Sequence, residues 1–325
     1  MSRTDLRLVF LDASTLGDIS LEPLTSKWDC TIHAFSKPAE VPQRIEGYQA
    51  VVLNKVVLDR PILDSAAAKN LRLIVVAATG TDNVDLEAAR AHGIRVCNVA
   101  GYATQSVAQF TMALILELMI HVGRYGDLVR AGAWQKSPIY TVLEFPTTEL
   151  YGKKLGIIGY GHIGRAVAKM ARGFDAEILI SARPGSSAPT PEGRVPLDDL
   201  LRRADIVTLH CPLTPQTRNL IDSRALALMK PAALLINTAR GALIDADALI
   251  KALREKRLAA AALDVLSQEP PPADHPLIKA ANELDNLLVT PHCAWSTREA
   301  RERLLNEVIE NIMAFTRERD RNRVV

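Results

Sequence analysis

The sequence predicts an α/β protein made of two doubly wound parallel sheets. Three observations predict it. Short apolar runs alternate with helix-length amphipathic stretches, the signature of strand–helix–strand units. The pattern begins near residue 6 and starts again after residue 150. The apolar mass comes mostly from Ala, Leu, Ile and Val, with aromatics only 5% of 325 residues, a bias that suits helix-covered parallel sheets better than a β-sandwich.

In the first third, the strand candidates are Leu6–Leu11, Cys30–Phe35, Ala50–Leu53, Leu71–Ala77 and Ile94–Val99. Between the later ones lie two helical stretches, 60-RPILDSAAAKN and 84-VDLEAARAHG, the second ending at Gly93 as a C-terminal cap. A long apolar helix is expected from Tyr102 to His121. The second unit offers six strands: Leu155–Ile158, Glu177–Ser181, Asp205–Leu209, Ala233–Asn237, Ala259–Leu263 and Leu287–Val289. Six is the strand count of a complete dinucleotide-binding sheet. A last helix, Ser296–Phe315, has no sheet of its own to cover. Its simplest destination is the first unit. The expected domains are therefore 1–101 with 294–325, and 102–293.

Composition narrows the function classes. The chain is 48% hydrophobic with a net charge of +2, so it can bury sizeable cores and has no excess charge aimed at nucleic acid or at an anionic membrane. The arginine-rich tail 317-RERDRNRVV reads as a solvated helix end. The four cysteines, Cys30, Cys97, Cys211 and Cys293, have no metal-ligand spacing and suggest reduced thiols. The start MSRTDLRLVFLD carries no signal-peptide apolar region, and 107-VAQFTMALILELMIHV is too short to span a bilayer. A cytoplasmic protein is the expectation.

The central motif is Gly159-x-Gly161-x-x-Gly164, within 155-LGIIGYGHIGRAVAKMARGF. It follows a buried strand and opens a helix whose apolar face is Ile163, Ala166, Val167, Met170, Ala171 and Phe174. Gly159 permits the tight turn, Gly161 lets backbone approach a pyrophosphate, and Gly164 lets the helix pack close. The turn's other members, Tyr160, His162 and Ile163, border the same diphosphate position, where a helix N-terminus favours negative charge. An NAD site normally has a carboxylate at the end of its second strand, hydrogen-bonded to the adenosine ribose. Here Ser181 and Arg183 stand at that point, and Asp175 and Glu177 lie at the strand's other end. A guanidinium pairs with phosphate and a hydroxyl can donate to it. NADP(H) is the preferred cofactor on this reading, with NAD(H) possible.

Three reactive residues follow strand ends: Arg240 in 236-INTARGALID, Glu269 in 263-LDVLSQEPPP and His292 in 288-LVTPHCAW. Carboxyl ends of parallel strands converge on one crevice. A histidine suits proton delivery to a keto oxygen reduced by hydride. A carboxylate would orient it, and a guanidinium would hold a substrate carboxylate.

With 79-TGTDNVDLEAA, 96-VCNVAGYATQSVAQ, 209-LHCPLTPQTRNLI, 236-INTARGALID, 263-LDVLSQEP and 290-TPHCAW beside the glycine motif, the chain resembles the D-isomer-specific 2-hydroxyacid dehydrogenases along nearly its whole length. The resemblance implies a Rossmann cofactor domain, a flavodoxin-like substrate domain and a cleft between them. It implies Arg240 on substrate, Glu269 paired to His292, and His292 as acid/base. Backbone around Ala78, Thr79 and Gly80 would receive the substrate carboxylate. Cys211, Pro212 and Thr217 would line the adenine and ribose side, Thr238 would sit by the nicotinamide ribose, Asp264 would hold the carboxamide, and Thr104 would approach from the interdomain helix. Within the family, 54-NKV, 79-TGTDNVD and 292-HCAW look most like the glyoxylate/hydroxypyruvate reductases, also called glycerate dehydrogenases. Leu53, Asn54 and Trp295 are candidates for the pocket wall. The stretch 130–150, with Trp134, Ile139, Tyr140 and Phe145, reads as an intersubunit arm of a homodimer. The alternatives are a phosphite- or other-substrate dehydrogenase of the same family, and a dinucleotide-sensing binding protein like the corepressors that share the fold.

Overall fold

The protein is described from a computed structural model covering residues 6–185 and 190–325. The N-terminal residues 1–5, included above in the reading for a signal peptide, lie outside the described residues. The chain forms two compact units. One runs up to Ala103 and adds Ser296–Val325; the other is Thr104–Trp295.

In the first unit, β1 (Arg7–Phe10), β2 (Asp29–Ile32), β3 (Ala50–Leu53), β4 (Leu73–Val76) and β5 (Arg95–Cys97) form one sheet in the order β2-β1-β3-β4-β5. All pairs are parallel. The central strands β3 and β4 are buried on both faces, as their unbroken Ala/Val/Leu/Ile runs require. The helix Leu86–Ala91 begins where the Asp85 carboxylate accepts the Ala88 N–H at 2.8 Å, and Gly93 follows its end at φ +66°. The stretch 60–70 is not one helix. A short turn, Arg60–Leu63, stops at Asp64, and extended backbone at Ser65 leads into a 3-10 turn at Ala66–Ala68. Ser65 Oγ donates back to the Ile62 carbonyl, an alternative to the helical ladder.

The last helix, Arg298–Thr316, belongs to this first unit and packs on β4. Its buried side chains include Leu304, Leu305, Val308 and Ile312. The tail beyond it keeps most of its side chains exposed, as its charges indicate, while the backbone of its last residues pairs with β5. Val96 N–H donates to the Val325 carbonyl at 3.1 Å, Val324 N–H donates to Val96 O at 2.8 Å, and Arg323 bridges Cys97 antiparallel. β5 is the sheet's edge strand, and the tail covers backbone groups that an edge leaves unpaired. Arg321 grips the Glu307 carboxylate with both terminal nitrogens, at 2.7 and 3.1 Å, and holds that carboxyl below its ordinary range.

In the second unit, β6 (Lys154–Ile158), β7 (Glu177–Ile180), β8 (Ile206–Leu209), β9 (Leu234–Asn237), β10 (Ala260–Leu263) and β11 (Leu287–Val289) are all parallel, in the order β11-β10-β9-β8-β6-β7. Val195 adds a parallel bridge to Ser181 outside β7. With Val195 counted as a rudimentary strand, chain order reverses between β6 and β8, the switch point where ligands bind in such sheets. The helix Thr104–Ile120 packs across the helix His162–Arg172 and reaches β9 and β10. Ile115 and Ala108 on it are fully buried, so its apolar character serves this core. His121, in the left-handed region at φ +53°, ends it one residue short of the expected boundary. Among the described residues no single helix is long and apolar enough to cross a membrane.

Leu304 is wholly buried in the C-terminal helix. Replacing it by Ala should cost about 2–5 kcal/mol. Hydrogen exchange should then show weakened protection in β1–β5 and none in β6–β11. Equal weakening in both sheets would contradict the placement of this helix in the first unit.

Candidate active site

β6 ends at Ile158, and Gly159 turns the chain at φ +97°. A Cβ there would collide with the backbone of His210 and Cys211, which follow β8. Only glycine lets the two strand ends at the switch point approach so closely. A Cβ at Gly164 would strike the Gly159 carbonyl and lie 3.2 Å from Ile157 Cγ2, so that glycine sets the helix against the strand. Nothing stands within 4 Å of a Cβ on Gly161, which caps the helix His162–Arg172 with no side-chain partner. Open space above an uncapped helix start, with no acid in its first turn, fits a dinucleotide's diphosphate. Tyr160 in this turn is half-buried; His162 and Ile163 open the helix.

Around the turn, burial pushes the His210 imidazole down to about 3, so it adds no positive charge. Cys211 is buried and its thiol is pushed up to about 11 by desolvation. Thr217 is buried too: its hydroxyl donates to the Pro212 carbonyl at 2.8 Å and accepts the Thr214 N–H at 2.7 Å. These three residues shape the loop after β8. Thr104 is the first residue of its helix, and Thr238 Oγ1 lies 3.1 Å from Thr111 Oγ1 just past β9.

At the carboxyl end of β7, Ser181 is 1% exposed and its hydroxyl donates to the Ala182 carbonyl at 2.7 Å. Arg183 is exposed. Glu177 starts β7 at the far end, 3.9 Å from Lys154 Nζ.

Arg240, Glu269 and His292 follow β9, β10 and β11 respectively, on three neighbouring strand ends of one parallel sheet. Glu269 Oε2 lies 2.6 Å from His292 Nδ1, and Glu269 Oε1 accepts the Leu266 N–H at 2.8 Å. The carboxylate thus holds both its own loop and the imidazole. Nδ1 is engaged, which leaves Nε2 as the nitrogen able to exchange a proton with a ligand. Arg240 sits in a turn locked by buried Asn237, which accepts the Ala239 N–H at 3.0 Å and donates to the Arg240 carbonyl at 2.9 Å. Gly241 presses on the backbone of Leu266 and Ser267, where a Cβ could not fit. The arginine loop and the glutamate loop are therefore packed backbone to backbone.

The sequence pointed to Asp264 as a ligand group; the structure shows what else it does. It is 1% exposed. Its carboxylate accepts Thr290 Oγ1 at 2.6 Å and the N–H groups of Cys293 and Ala294, each at 2.9 Å. Its own carbonyl accepts the His292 N–H at 2.8 Å. Every one of these partners lies within two residues of His292, which sits at φ +52°. From the other side, Ser106 Oγ donates to the Ala294 carbonyl at 2.7 Å. Neither the Asn237 lock nor the Ser106 tie was foreseen; both are short polar residues bonded to backbone, Asn237 within its own turn and Ser106 far away in the chain.

Of the remaining candidates, all but Trp295 belong to the first unit. Past β4, Thr79 Oγ1 donates to Val99 O at 2.9 Å, Asn98 Nδ2 donates to Thr79 O at 2.8 Å, and Val99 N–H donates to Ala78 O at 2.9 Å, so the Ala78–Gly80 loop is tied to the segment after β5. Past β3, buried Asp12 accepts the N–H groups of Asn54, Lys55 and Val56. Desolvation raises its carboxyl, and those N–H groups oppose the rise. Leu53 is fully buried, and the buried Asn54 Nδ2 has no hydrogen-bond partner. Trp295 closes the second unit, half-buried.

Residues 112–294 match the D-isomer specific 2-hydroxyacid dehydrogenase, NAD binding domain. The chain belongs to the D-isomer-specific 2-hydroxyacid dehydrogenases. It is 39% identical over 285 residues to a glycerate dehydrogenase of Methylorubrum extorquens, covering 88% of each chain. It is 36% identical over 319 residues to a hydroxypyruvate reductase of Blautia hydrogenotrophica, covering 95% of this chain and 97% of that one. The crystal structure of the TT0316 protein from Thermus thermophilus superposes with a TM-score of 0.85 at 36% identity, covering 98% of this chain and all of that one. As in other members of this dehydrogenase family, two parallel-sheet α/β units make up the chain, and the glycine turn lies within its NAD-binding domain.

Asp264→Asn puts an amide where Cys293 and Ala294 need an acceptor. Leaving such buried donors unpaired costs about 1–3 kcal/mol. The amides of Cys293 and Ala294 should lose exchange protection and the melting temperature should fall. Unaltered protection would show that the carboxylate does not hold the histidine loop.

Proposed function

We propose that this chain reduces a small 2-keto acid, glyoxylate to glycolate or hydroxypyruvate to D-glycerate, with NADPH preferred over NADH. One observation carries the reading: a carboxylate 2.6 Å from His292 Nδ1, on strand ends next to the arginine loop and in the same sheet as a glycine turn fitted to a dinucleotide. The names of the relatives point to the same substrates.

The bound dinucleotide supplies the hydride to the keto carbon. The protein's residues do the rest. Gly159, Gly161 and Gly164 admit the diphosphate, with Tyr160, His162 and Ile163 around it, and Cys211, Pro212, Thr217, Thr238 and Thr104 shape the flanking loops. Arg240 holds the substrate carboxylate and polarises the keto oxygen. His292 Nε2 delivers the proton to that oxygen, and in the reverse direction it takes the proton from the hydroxyl. Glu269 keeps the ring oriented with its proton on Nδ1. Backbone of Ala78, Thr79 and Gly80 is the proposed anchor for the substrate carboxylate on the first unit. The NADPH preference is supported by Arg183 at the end of β7 and by the position of Glu177 at that strand's other end.

A second copy of the chain is the proposed partner. Val122, Trp134, Ile139, Tyr140, Leu143 and Tyr151 are exposed large apolar residues within thirty positions of one another, Tyr140 at 90% and Leu143 at 81%. Exposed apolar side chains of this kind are what a subunit interface covers. Phe145, by contrast, is half-buried under the Arg124 guanidinium, 4.1 Å from its ring centre.

Oxidation of NADPH and NADH should be followed with glyoxylate, hydroxypyruvate and pyruvate. Turnover with the first two and NADPH is expected, and His292→Ala should lower kcat about 10²–10⁴-fold. Undiminished turnover in that variant would refute the proton-delivery role. In light scattering at micromolar concentration the chain should run as a dimer, and Tyr140→Glu with Leu143→Glu should shift it toward monomer. A monomeric wild type would overturn the interface.

A further inference from the structure

We propose that Arg194, a residue well outside the glycine motif and its following strand, is the group that fixes the cofactor's 2′-phosphate. This rests on the NADPH reading above and sharpens it.

The serine at the end of β7 is poorly placed to take part. Its hydroxyl is buried and committed to the Ala182 carbonyl. Arg183 is exposed, next to a turn at Pro184 and Gly185, and its side chain makes no hydrogen bond or ion pair among the described residues. Arg194 differs in both respects. Its backbone is locked alongside β7, because Ala182 N–H donates to Val195 O at 2.8 Å and Val195 N–H donates to Ile180 O at 2.9 Å. Its side chain is half-buried and turned toward the same strand end: Nη1 donates to the Ser181 carbonyl at 3.2 Å. The guanidinium carbon lies 5.9 Å from the centre of the Tyr160 ring, in the turn between Gly159 and Gly161.

One guanidinium thus touches both walls of a single crevice. The first wall is the glycine turn after β6, and the second is the end of β7. In a dinucleotide-binding sheet the adenosine ribose lies between these two features, and its 2′ position faces the end of the second strand. A guanidinium has five N–H donors in a fixed fork. The bond to the Ser181 carbonyl uses one and leaves donors for phosphate oxygens. The tie to Ser181, with the Tyr160 ring nearby, restricts the side chain before any ligand arrives, so less rotamer entropy is lost on binding. Neither Arg183 nor Arg194 has a carboxylate partner among the described residues, so no ion pair must break.

The test is a calorimetric titration of the full-length protein with adenosine 2′,5′-bisphosphate and with AMP, alongside kcat/KM for NADPH and NADH. Wild type should bind the bisphosphate more tightly. Arg194→Gln should weaken bisphosphate binding at least tenfold and leave AMP binding within twofold, whereas Arg183→Gln should have the smaller effect. Arg194→Lys, which keeps the charge without the fork, should fall between and guards against a folding defect in the glutamine variant. Equal loss for both ligands would make Arg194 a structural tie and overturn the assignment, as would no loss for either. A wild type that binds AMP as tightly as the bisphosphate and prefers NADH would instead refute the NADPH reading itself.

Discussion

A buried carboxylate holds the reactive corner of this protein together. Asp264 directly follows β10 and satisfies four donors from the segment after β11, two of them on the residues that follow His292. The histidine backbone is in the left-handed region, where most side chains are disfavoured. A conformation of that kind persists only when its surroundings over-determine it. The Asp264 clamp, with Ser106 from the long buried helix, supplies that restraint. Glu269 then has a fixed imidazole to meet, and the short contact between them follows.

The parallel sheet is the second layer of the same logic. Because every strand runs the same way, each ends on one edge, and the loops after β9, β10 and β11 are neighbours although their residues are far apart in sequence. Two glycines allow the loops to touch. Gly159 admits the backbone after β8, and Gly241 admits the backbone after β10. The first brings the cofactor turn to the switch point. The second joins the arginine loop to the glutamate loop. Side chains at either place would push apart groups that the proposed chemistry needs together.

The cofactor's adenosine end shows the limit of reading residues by their nearest neighbours in sequence. Ser181 and Arg183 stand at the correct distance past the glycine turn, and the lack of a carboxylate there is a fact of the sequence. Which polar group faces the ribose is a matter of side-chain direction. Ser181 turns its hydroxyl to the chain's own backbone. Arg194 comes in from the segment leading to Val195, across a strand bridge that no periodicity announces.

Strand positions, the glycine turn, the family and the three residues after β9, β10 and β11 were all legible in the sequence. Their signals are local: apolar runs of strand length, glycines at fixed spacing, charged residues just past a strand. Boundaries moved by at most three residues, with Ala50–Leu53 and Leu287–Val289 unchanged, and the stretch at 60–70 broke into two turns where Ser65 offered its backbone a competing bond. The charged tail at 317–325 is exposed, as its alternating charges indicate, but those charges do not show that an open strand edge pairs with its last residues. Tertiary structure alone decided the Asp264 clamp, the Ser106 tie and the place of Arg194. Each depends on hydrogen bonds to backbone brought near by folding, and backbone carries no mark in the sequence to show which distant side chain will bind it.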